Sequence, residues 1–315
     1  MLVKRGLLLI IAAALCFACG KRDGAVSDPI RDRPVRVVTD DLGRQVTIPV
    51  EVKRIVSTAP SVTENIFAVG AGDRLVGVTT FCNYPEAAQS IAKIGDTMNP
   101  NMETIVALKP DIVFVSTASQ IEAFTGTLEQ NGISVYVTNP SSLSDVIDEL
   151  RKLSAVFGTG PTTNQVIDSL TTRENAVHKT LGTYRGKDED EAAYERRVDS
   201  VKVFVQVSKE PLFTVGNGSF LTNLVEAAGG RSTTAKLETA YPNLSKETAL
   251  GLQPDVIILS DSEDNQEPNS AFQNSPAVRN GRVYRVNADI LSRPGPRLVD
   301  ALEQIAKLLH PDKFR

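Results

Sequence analysis

Two segments of this 315-residue chain repeat each other at identical spacing, and this repeat strongly constrains the fold. In residues 103–113 and 247–257, a Glu-Thr pair precedes a Pro-Asp pair that opens a β-branched apolar run. Proline is excluded from a helix interior, and the residue before it is biased away from the α region. Each copy therefore predicts a short helix that ends at Lys109 or Gln253 and is followed by a buried strand. The repeat predicts two similar lobes, each with one acidic residue at the corresponding point.

Length and composition narrow the functional class. A chain of 315 residues is long enough for two lobes with their own cores. With 41% apolar and 23% charged residues, the composition is that of an ordinary globular protein. The net charge of -4 argues against nucleic acid, which requires a basic face. His178 and His310 cannot build a multi-histidine metal site, so we expect no metal ligand in either.

The N-terminus predicts a lipoprotein signal peptide over residues 1–18. Lys4 and Arg5 precede an apolar run that is too short to span a bilayer. Cys19 is then the acylated first residue, and we expect an exported protein anchored in a membrane, facing the periplasm or the outer face of the cell membrane. Ordinary secretory cleavage and a retained anchor are the alternatives. Residues 19–34, rich in Asp, Arg and Gly, form the tether.

Cysteine usage leaves a single thiol in the mature chain. Cys16 is removed with the leader and Cys19 carries the lipid, so Cys82 has no disulfide partner. We expect Cys82 to be a small buried apolar residue. A thiol that touches the ligand is the alternative.

The order of predicted elements indicates an α/β protein. Residues 35–141 form the N-terminal lobe, which opens with a hairpin and continues as alternating strands and helices. Residues 142–186 form a connecting helical segment, interrupted by Gly-Thr-Gly-Pro and continued as one long helix. Residues 187–315 repeat the plan as a C-terminal lobe. Such alternation predicts a mainly parallel sheet with flanking helices in each lobe, joined by a single long helix.

Catalytic motifs are missing from the sequence. There is no Walker A loop, nucleophile elbow or zincin helix, and nothing gathers a base, a nucleophile and an oxyanion site. We therefore expect no enzyme, no catalytic residue, no metal site and no resident cofactor. Gly-Asn-Gly-Ser at 216–219 predicts a tight turn with Ser219 as a helix N-cap, more than a dinucleotide loop. Ser61 and Glu64 have the spacing of a capping box and predict a helix that Gly70 ends.

Aromatic and charged residues in predicted loops are the candidates for ligand binding. In an open α/β sheet, ligands lie beyond the carboxyl ends of the strands. For each aromatic residue taken singly, a place in the core is the alternative. Arg293 stands beside Pro294-Gly295-Pro296, a stiff segment that holds a charge in one place. The candidates are Phe81, Tyr84, Phe213, Tyr241, Asp289 and Arg293.

Several segments resemble one family, the cobalamin-type substrate-binding proteins of ABC importers, within the helical-backbone metal receptor fold. The resemblance covers about residues 37–311 and is carried by residues 54–64, 82–85, 211–214 and 291–297 and by both copies of the repeat. It implies two α/β lobes joined by one rigid helix. It also implies a ligand in the cleft between the lobes and little hinge motion.

The resemblance also implies roles for the candidate ligand residues. Phe81, Phe213 and Tyr241 would line the cleft and contact a corrin ring, because aromatic contacts add to the free energy of area burial. Asp289 and Arg293 would form hydrogen bonds with its amide-bearing edge. The chain has no Trp, whereas the best-known members use several in the cleft.

Glu103 and Glu247 would, by the same resemblance, dock into basic pockets on the two permease subunits. The expected protein is a monomeric binding lipoprotein that delivers cobalamin or a related corrinoid to an ABC permease dimer and its ATPase subunits. A ferric siderophore or haem is the alternative ligand, and Arg293 would then face an anionic chelate. A metallocluster enzyme on a similar fold is a third possibility, which requires several Cys or His ligands around the cleft.

Overall fold

The computed structural model describes residues 33–117, 121–183 and 201–315. The predicted signal peptide, Cys19 and nearly all of the tether lie outside these residues, as does the predicted start of the C-terminal lobe at residue 187. No helix in the described part of the chain has the length and apolar content needed to cross a bilayer.

The first lobe begins with the predicted hairpin, in which β1 (Val35–Thr39) pairs antiparallel with β2 (Gln45–Pro49). Four strands then form a parallel sheet in the order β4-β3-β5-β6. These strands are β3 (Ile55–Ser57), β4 (Leu75–Val78), β5 (Ile112–Ser116) and β6 (Ser134–Thr138). Its helices are α1 (Pro60–Ala68), α2 (Met102–Ala107) and α3 (Ile121–Gln130), with 3₁₀ turns at Gly72–Arg74 and Glu86–Ser90.

Two helices follow the first sheet in sequence. The first, α4 (Leu143–Phe157), starts at Ser142, whose side chain accepts a hydrogen bond from the backbone N–H of Asp145. It ends at Gly158, which has φ of 72°. The second, α5 (Gly160–Leu181), is the long helix expected between the two sheets. The interruption predicted at residues 158–161 therefore separates two helices.

The second lobe contains another four-stranded parallel sheet, in the order β10-β9-β7-β8. Its strands are β7 (Val201–Gln206), β8 (Gly230–Ser232), β9 (Val256–Asp261) and β10 (Val283–Asn287). Its helices are α6 (Phe220–Ala227), α7 (Lys246–Leu252), α8 (Pro276–Arg279), α9 (Ala288–Leu291) and α10 (Leu298–Leu309), with 3₁₀ turns at Ser270–Phe272 and Pro311–Phe314.

The two sheets have the same topology. When the four strands of each sheet are numbered in chain order, they lie across the sheet in the order 2-1-3-4 in both lobes. All pairings within these two sheets are parallel. The predicted fold class, two α/β lobes with parallel sheets and flanking helices, is confirmed.

The repeated sequence unit adopts one local structure in both lobes. Asn101 and Ser245 cap α2 and α7 by accepting hydrogen bonds from the backbone N–H three residues later, at 2.9 and 3.1 Å. Lys109 and Gln253 then take the left-handed conformation, with φ of 47° and 43°. A left-handed residue followed by proline stops each helix, so the predicted ends at these two positions are confirmed.

The aspartate of each repeat joins its strand to the first strand of the lobe. Asp111 Oδ2 accepts hydrogen bonds from the backbone N–H groups of Lys53 and Arg54 at 2.7 and 2.9 Å. In the second lobe, Asp255 Oδ2 accepts from the N–H of Lys202 at 3.0 Å. Because both aspartates are used in the same way, the repeat is a structural unit of the sheet as well as a sequence pattern.

The predicted capping box at the start of α1 is wrong. The N-cap of this helix is Ala59, Pro60 occupies its first turn, and no side chain caps it. Proline needs no partner at that position because it has no N–H to satisfy. The carboxylate of Glu64 points elsewhere and lies in the cross-lobe contact described below.

A single core runs through both lobes. Ile112 and Phe114 on one face of β5 and Val256 and Ile258 on one face of β9 belong to the same buried cluster, which also includes apolar residues of α4, α5 and α10. The opposite faces of the two sheets have separate, smaller cores. One face of each sheet thus belongs to a shared core, and the helices α4, α5 and α10 connect these two faces.

One carboxyl group is buried within this packing. Glu149 on α4 is 2% exposed, and neither of its carboxyl oxygens has a hydrogen-bond partner among the described residues. Burial raises the pKa of Glu149 to about 8, and the amide of Asn65 offsets only part of this effect. The side chain is therefore neutral at pH 7 in the folded protein.

We predict that this group makes stability fall as pH rises. Between the ordinary Glu pKa of about 4.3 and the folded value, unfolding releases a proton, so the unfolding free energy decreases by up to about 1.4 kcal/mol per pH unit. Glu149→Gln removes this dependence. Urea unfolding followed by circular dichroism at pH 5, 6, 7 and 8 should show wild type losing stability relative to this variant. The exposed Glu129→Gln is the control, and parallel pH profiles of wild type and Glu149→Gln would contradict the prediction.

Candidate functional site

The loops after the strands of both lobes carry the predicted ligand residues. Phe81 and Tyr84 lie in the loop that follows β4, with 60% and 47% of their surface exposed. Phe213 lies beyond β7 and is half-buried. It forms a bridge with Asn243, so the segment that contains Tyr241 runs beside it. Tyr241 is 43% exposed.

Arg293 is the centre of a polar network that joins the two lobes. It follows α9 in the second lobe, and its guanidinium contacts three groups of the first. Nη1 donates to Glu64 Oε1 at 3.0 Å and to Asn83 Oδ1 at 2.7 Å, and Nη2 donates to the carbonyl oxygen of Phe81 at 3.3 Å. The Arg293 side chain is only 10% exposed.

Asp289 and Asn83 close a ring of hydrogen bonds around Arg293. Asp289, one helical turn before Arg293, accepts from Nη2 at 2.6 Å. Its other oxygen accepts from Asn83 Nδ2 at 2.8 Å, while Asn83 Oδ1 accepts from Arg293. Each of the three side chains is therefore held by the other two. The predicted site residues Asp289, Arg293 and Phe81 are brought together here, Phe81 through its carbonyl oxygen.

Arg297 connects Glu64 to Tyr84. Its Nε and Nη2 donate to Glu64 Oε2 and Oε1 at 2.8 and 2.6 Å, a bidentate ion pair. The guanidinium carbon of Arg297 lies 4.2 Å from the centre of the Tyr84 ring, within the range of a cation–π interaction. Tyr84 is thus tied to the same network through its ring.

The charges of this network balance. Two carboxylates, Glu64 and Asp289, face two guanidinium groups, Arg293 and Arg297. Burial by itself lowers the pKa of Arg297, but the hydrogen bond and charge of Glu64 more than compensate, and its pKa is raised. The guanidinium of Arg297 is therefore charged at neutral pH.

Phe213 and Tyr241 stand apart from this network. No hydrogen bond, ion pair or ring contact within the described ranges joins either ring to Arg293, Arg297 or Glu64. They belong to the loops at the other edge of the second sheet, near β7 and β8. The structure thus groups four of the six predicted ligand residues and places two on a separate part of the lobe.

Three residues of the network were not predicted from the sequence as site residues. Arg297 lies in the same Pro-Gly-Pro segment as Arg293, so that stiff segment could have drawn attention to it. Asn83 lies between Phe81 and Tyr84, two aromatic residues that were predicted. Glu64 carried a misleading signal, because its spacing from Ser61 fits a helix cap.

Cys82 is buried, whereas the two glutamates of the sequence repeat, Glu103 and Glu247, are exposed. Cys82 is 2% exposed, and its Sγ lies 3.2 Å from the hydroxyls of Thr63 and Thr79, which agrees with a buried core residue. Glu103 and Glu247 are both exposed in the first turn of their helices. A hydrogen bond from its own backbone N–H lowers the pKa of Glu247, which is therefore ionised.

The histidines and Ser219 also have local partners. Nδ1 of His178 lies 2.9 Å from the Thr183 hydroxyl, and Nε2 of His310 lies 3.0 Å from the Gly229 carbonyl oxygen. Ser219 caps α6, as predicted, by accepting from the N–H of Leu221. Over the described ranges, no three His, Cys, Asp or Glu side chains are grouped so as to hold a metal ion.

Comparison with known proteins identifies the family. The sequence profile of the periplasmic binding proteins matches residues 55–290. The chain belongs to the periplasmic binding protein family. It is also 30% identical to the uncharacterized ABC transporter substrate-binding lipoprotein YvrC of Bacillus subtilis, over 98% of this chain and 96% of that one.

Two solved structures share the fold of this chain. The vitamin B12-binding protein BtuF of Vibrio cholerae is 27% identical and superposes with a TM-score of 0.72, covering 84% of this chain and 99% of that one. The haem-binding protein RhuT of Roseiflexus sp. RS-1 superposes with a TM-score of 0.69 over 83% of this chain and 99% of that one. At 21% identity, RhuT supports the fold alone.

These findings confirm the predicted resemblance and the class of protein. Periplasmic binding proteins are transport components that bind a substrate, so the chain is a binding protein of the ABC-importer type. The loops of the two lobes that meet at Arg293 are therefore the candidate ligand site.

We predict that removing the buried carboxylate of Glu64 destabilises the protein much more than removing the carboxylate of a similar surface pair, because it leaves buried charge without a partner. Glu64→Gln leaves two arginines beside a neutral amide, which should lower the unfolding free energy by about 3 kcal/mol. Glu303 forms the same bidentate pair with Arg173, at 2.8 and 2.9 Å, but is 29% exposed. Glu303→Gln should therefore cost less than about 1 kcal/mol. Urea unfolding measures both, and equal losses would contradict the prediction.

Proposed function

We propose that this protein captures cobalamin or a related corrinoid between its lobes and delivers it to the permease of an ABC importer. The observation that carries the proposal is the balanced charge of the network around Arg293. Both of its arginines are already paired with carboxylates, so the site offers polar groups without an uncompensated charge. The amide-bearing edge of a corrin is uncharged and forms hydrogen bonds, which suits such a surface.

A ferric siderophore or haem is the alternative ligand. Haem carries propionates and many siderophores form anionic chelates, and both would favour an unpaired cation in the cleft. Arg293, the residue predicted to face such an anion, donates to Glu64, Asn83, Asp289 and the Phe81 carbonyl instead. The fold similarity to RhuT keeps haem as a ligand to be tested.

Exposed aromatic rings support a large ligand. Phe81, Tyr84 and Tyr241 are all more than 40% exposed although they are aromatic. Large apolar side chains left at the surface commonly mark a binding site, and rings supply contact area for a flat ligand. We propose that these rings, with Phe213, contact the corrin ring, and that the partly exposed carboxylate of Asp289, held in place by Arg293, accepts from its amide groups.

We predict selective binding of the corrinoid. Isothermal titration of the purified mature protein should give a Kd for cyanocobalamin of about 1 μM or tighter. Ferric enterobactin and haemin should bind at least about tenfold more weakly. Phe81→Ala should weaken cyanocobalamin binding by about tenfold, because it removes an exposed ring from the site. Preference for haemin or the ferric chelate over cyanocobalamin would refute the proposed ligand.

The anchor and the permease contact complete the proposal. We propose that Cys19 is acylated. The similarity to the lipoprotein YvrC, which extends over 98% of this chain, supports this. We also propose that Glu103 and Glu247 dock onto the permease. They are exposed at equivalent positions of the two lobes and form no ion pair with another described residue, so both are available to a partner with two similar basic pockets.

We predict that docking and ligand binding can be separated. Glu103→Ala/Glu247→Ala should abolish uptake of labelled cyanocobalamin in cells while leaving the Kd of the purified protein within twofold of wild type. The matched control is Glu129→Ala/Glu263→Ala, which removes one exposed glutamate from each lobe. Normal uptake with the Glu103/Glu247 double variant would exclude these residues as the docking contacts.

A further inference from the structure

Glu64 has an unusual position for an acidic residue. It lies within α1, its side chain is 1% exposed, and the buried helix around it belongs to the first lobe. Both of its ion-pair partners in the described part of the chain, Arg293 and Arg297, come from the second lobe. A buried carboxylate is costly unless its oxygens are fully used, and here Oε1 accepts two hydrogen bonds and Oε2 one.

The ion pair determines where Arg297 can be. The bidentate contact with Glu64 uses Nε and Nη2, so the plane of the guanidinium is fixed as well as its position. The guanidinium carbon of Arg297 lies over the Tyr84 ring, 4.2 Å from its centre. Tyr84 lies in a loop and is 47% exposed, so this cation–π contact restrains a ring that is half in solvent.

The same carboxylate acts on Arg293. Glu64 Oε1 accepts from Arg293 Nη1, which also donates to Asn83. Asn83 and Tyr84 are adjacent in the loop after β4. Arg293 and Arg297 are four residues apart in the second lobe. One residue of α1 thus holds two arginines that each fix a neighbouring residue of the same loop.

We infer that Glu64 is a positioning residue of the ligand site. It holds Arg297 over Tyr84 and Arg293 against Asn83, and so it presents loops from both lobes to the ligand as one face. The part of this inference that concerns the ligand rests on the proposed function. The part that concerns Tyr84 can be tested without any ligand.

The ligand-free test follows the Tyr84 ring by fluorine NMR. The chain has six tyrosines, so protein labelled with 3-fluorotyrosine gives a simple spectrum, and Tyr84→Phe assigns the signal of Tyr84. Glu64→Gln should shift this signal, and Arg297→Met should shift it similarly, because both release the guanidinium from the ring. Glu303→Gln, which breaks a bidentate pair of the same geometry between α10 and α5, should leave it unchanged.

The double variant shows whether Glu64 acts through Arg297. In the Arg297→Met background, Glu64→Gln should shift the Tyr84 signal by less than it does in wild type, because the connection through Arg297 has already been removed and only the one through Arg293 and Asn83 is left. Arg297→Met keeps the pair between Glu64 and Arg293, so it remains informative if Glu64→Gln folds poorly. An unchanged Tyr84 signal in Arg297→Met, or an equal shift by Glu64→Gln with and without Arg297, would overturn the inference.

Ligand binding provides the second measurement. Titration with cyanocobalamin should show about tenfold weaker binding for Glu64→Gln and for Arg297→Met, and the double variant should be no weaker than the worse single variant. Additive losses would show that Glu64 does not act through Arg297 and would overturn the inference. If wild type does not bind cyanocobalamin, the proposed ligand fails, while the fluorine spectra still decide the role of Glu64.

Discussion

The packing of α5 against both lobes is the constraint on which the rest of the structure depends. Ile167, Leu170, Val177 and Leu181 of this helix are buried in the core that also contains residues from both sheets. Arg173 on α5 adds ion pairs to Asp300 and Glu303 of α10. Opening the lobes widely would expose part of this shared core, at about 25 cal/mol for each Å² of apolar surface. The geometry between the strand ends is therefore largely set by packing.

On such a scaffold, a buried ionic network has a particular use. Ion pairs taken out of water contribute little net stability, because desolvation offsets their attraction. In this arrangement, both oxygens of Glu64 and of Asp289 accept hydrogen bonds from the network. Glu64, Arg293 and Asp289 thus decide which atoms of the loops face each other, while the apolar core supplies the stability. The balanced charge of the site is a consequence of this arrangement.

Local sequence signals predicted most of the fold, and the misses have a common cause. The strands after the two repeats and the N-cap Ser219 were predicted because β-branched runs, a preceding proline and a capping serine act over a few residues. β8 was missed because Gly-Arg-Ser has no apolar pattern. Glu64 and Arg297 are 233 residues apart, so their pairing leaves no local trace, and Ser61 supplied a competing local explanation.

The second lobe has no counterpart of the Glu64 ion pairs at the equivalent helix, within the described residues. α1 and α6 hold the same place in the two topologies, and each has a buried threonine whose hydroxyl donates to an earlier carbonyl. The residue after that threonine reaches the other lobe in both cases. Glu64 does so with ion pairs to two arginines, whereas Asn223 donates one neutral hydrogen bond to the Ser141 carbonyl oxygen at 2.8 Å.

This difference makes the two sides of the site unequal. Phe81, Tyr84 and Asp289 lie on the side held by buried charges, whereas Phe213 and Tyr241 belong to loops near α6, where Asn223 reaches the other lobe through an exposed hydrogen bond. A neutral hydrogen bond in contact with water contributes only about 1 kcal/mol and can exchange for solvent. One side of the site is thus a fixed polar and aromatic face. The other side carries Phe213 and Tyr241 beside the neutral hydrogen bond between Asn223 and Ser141.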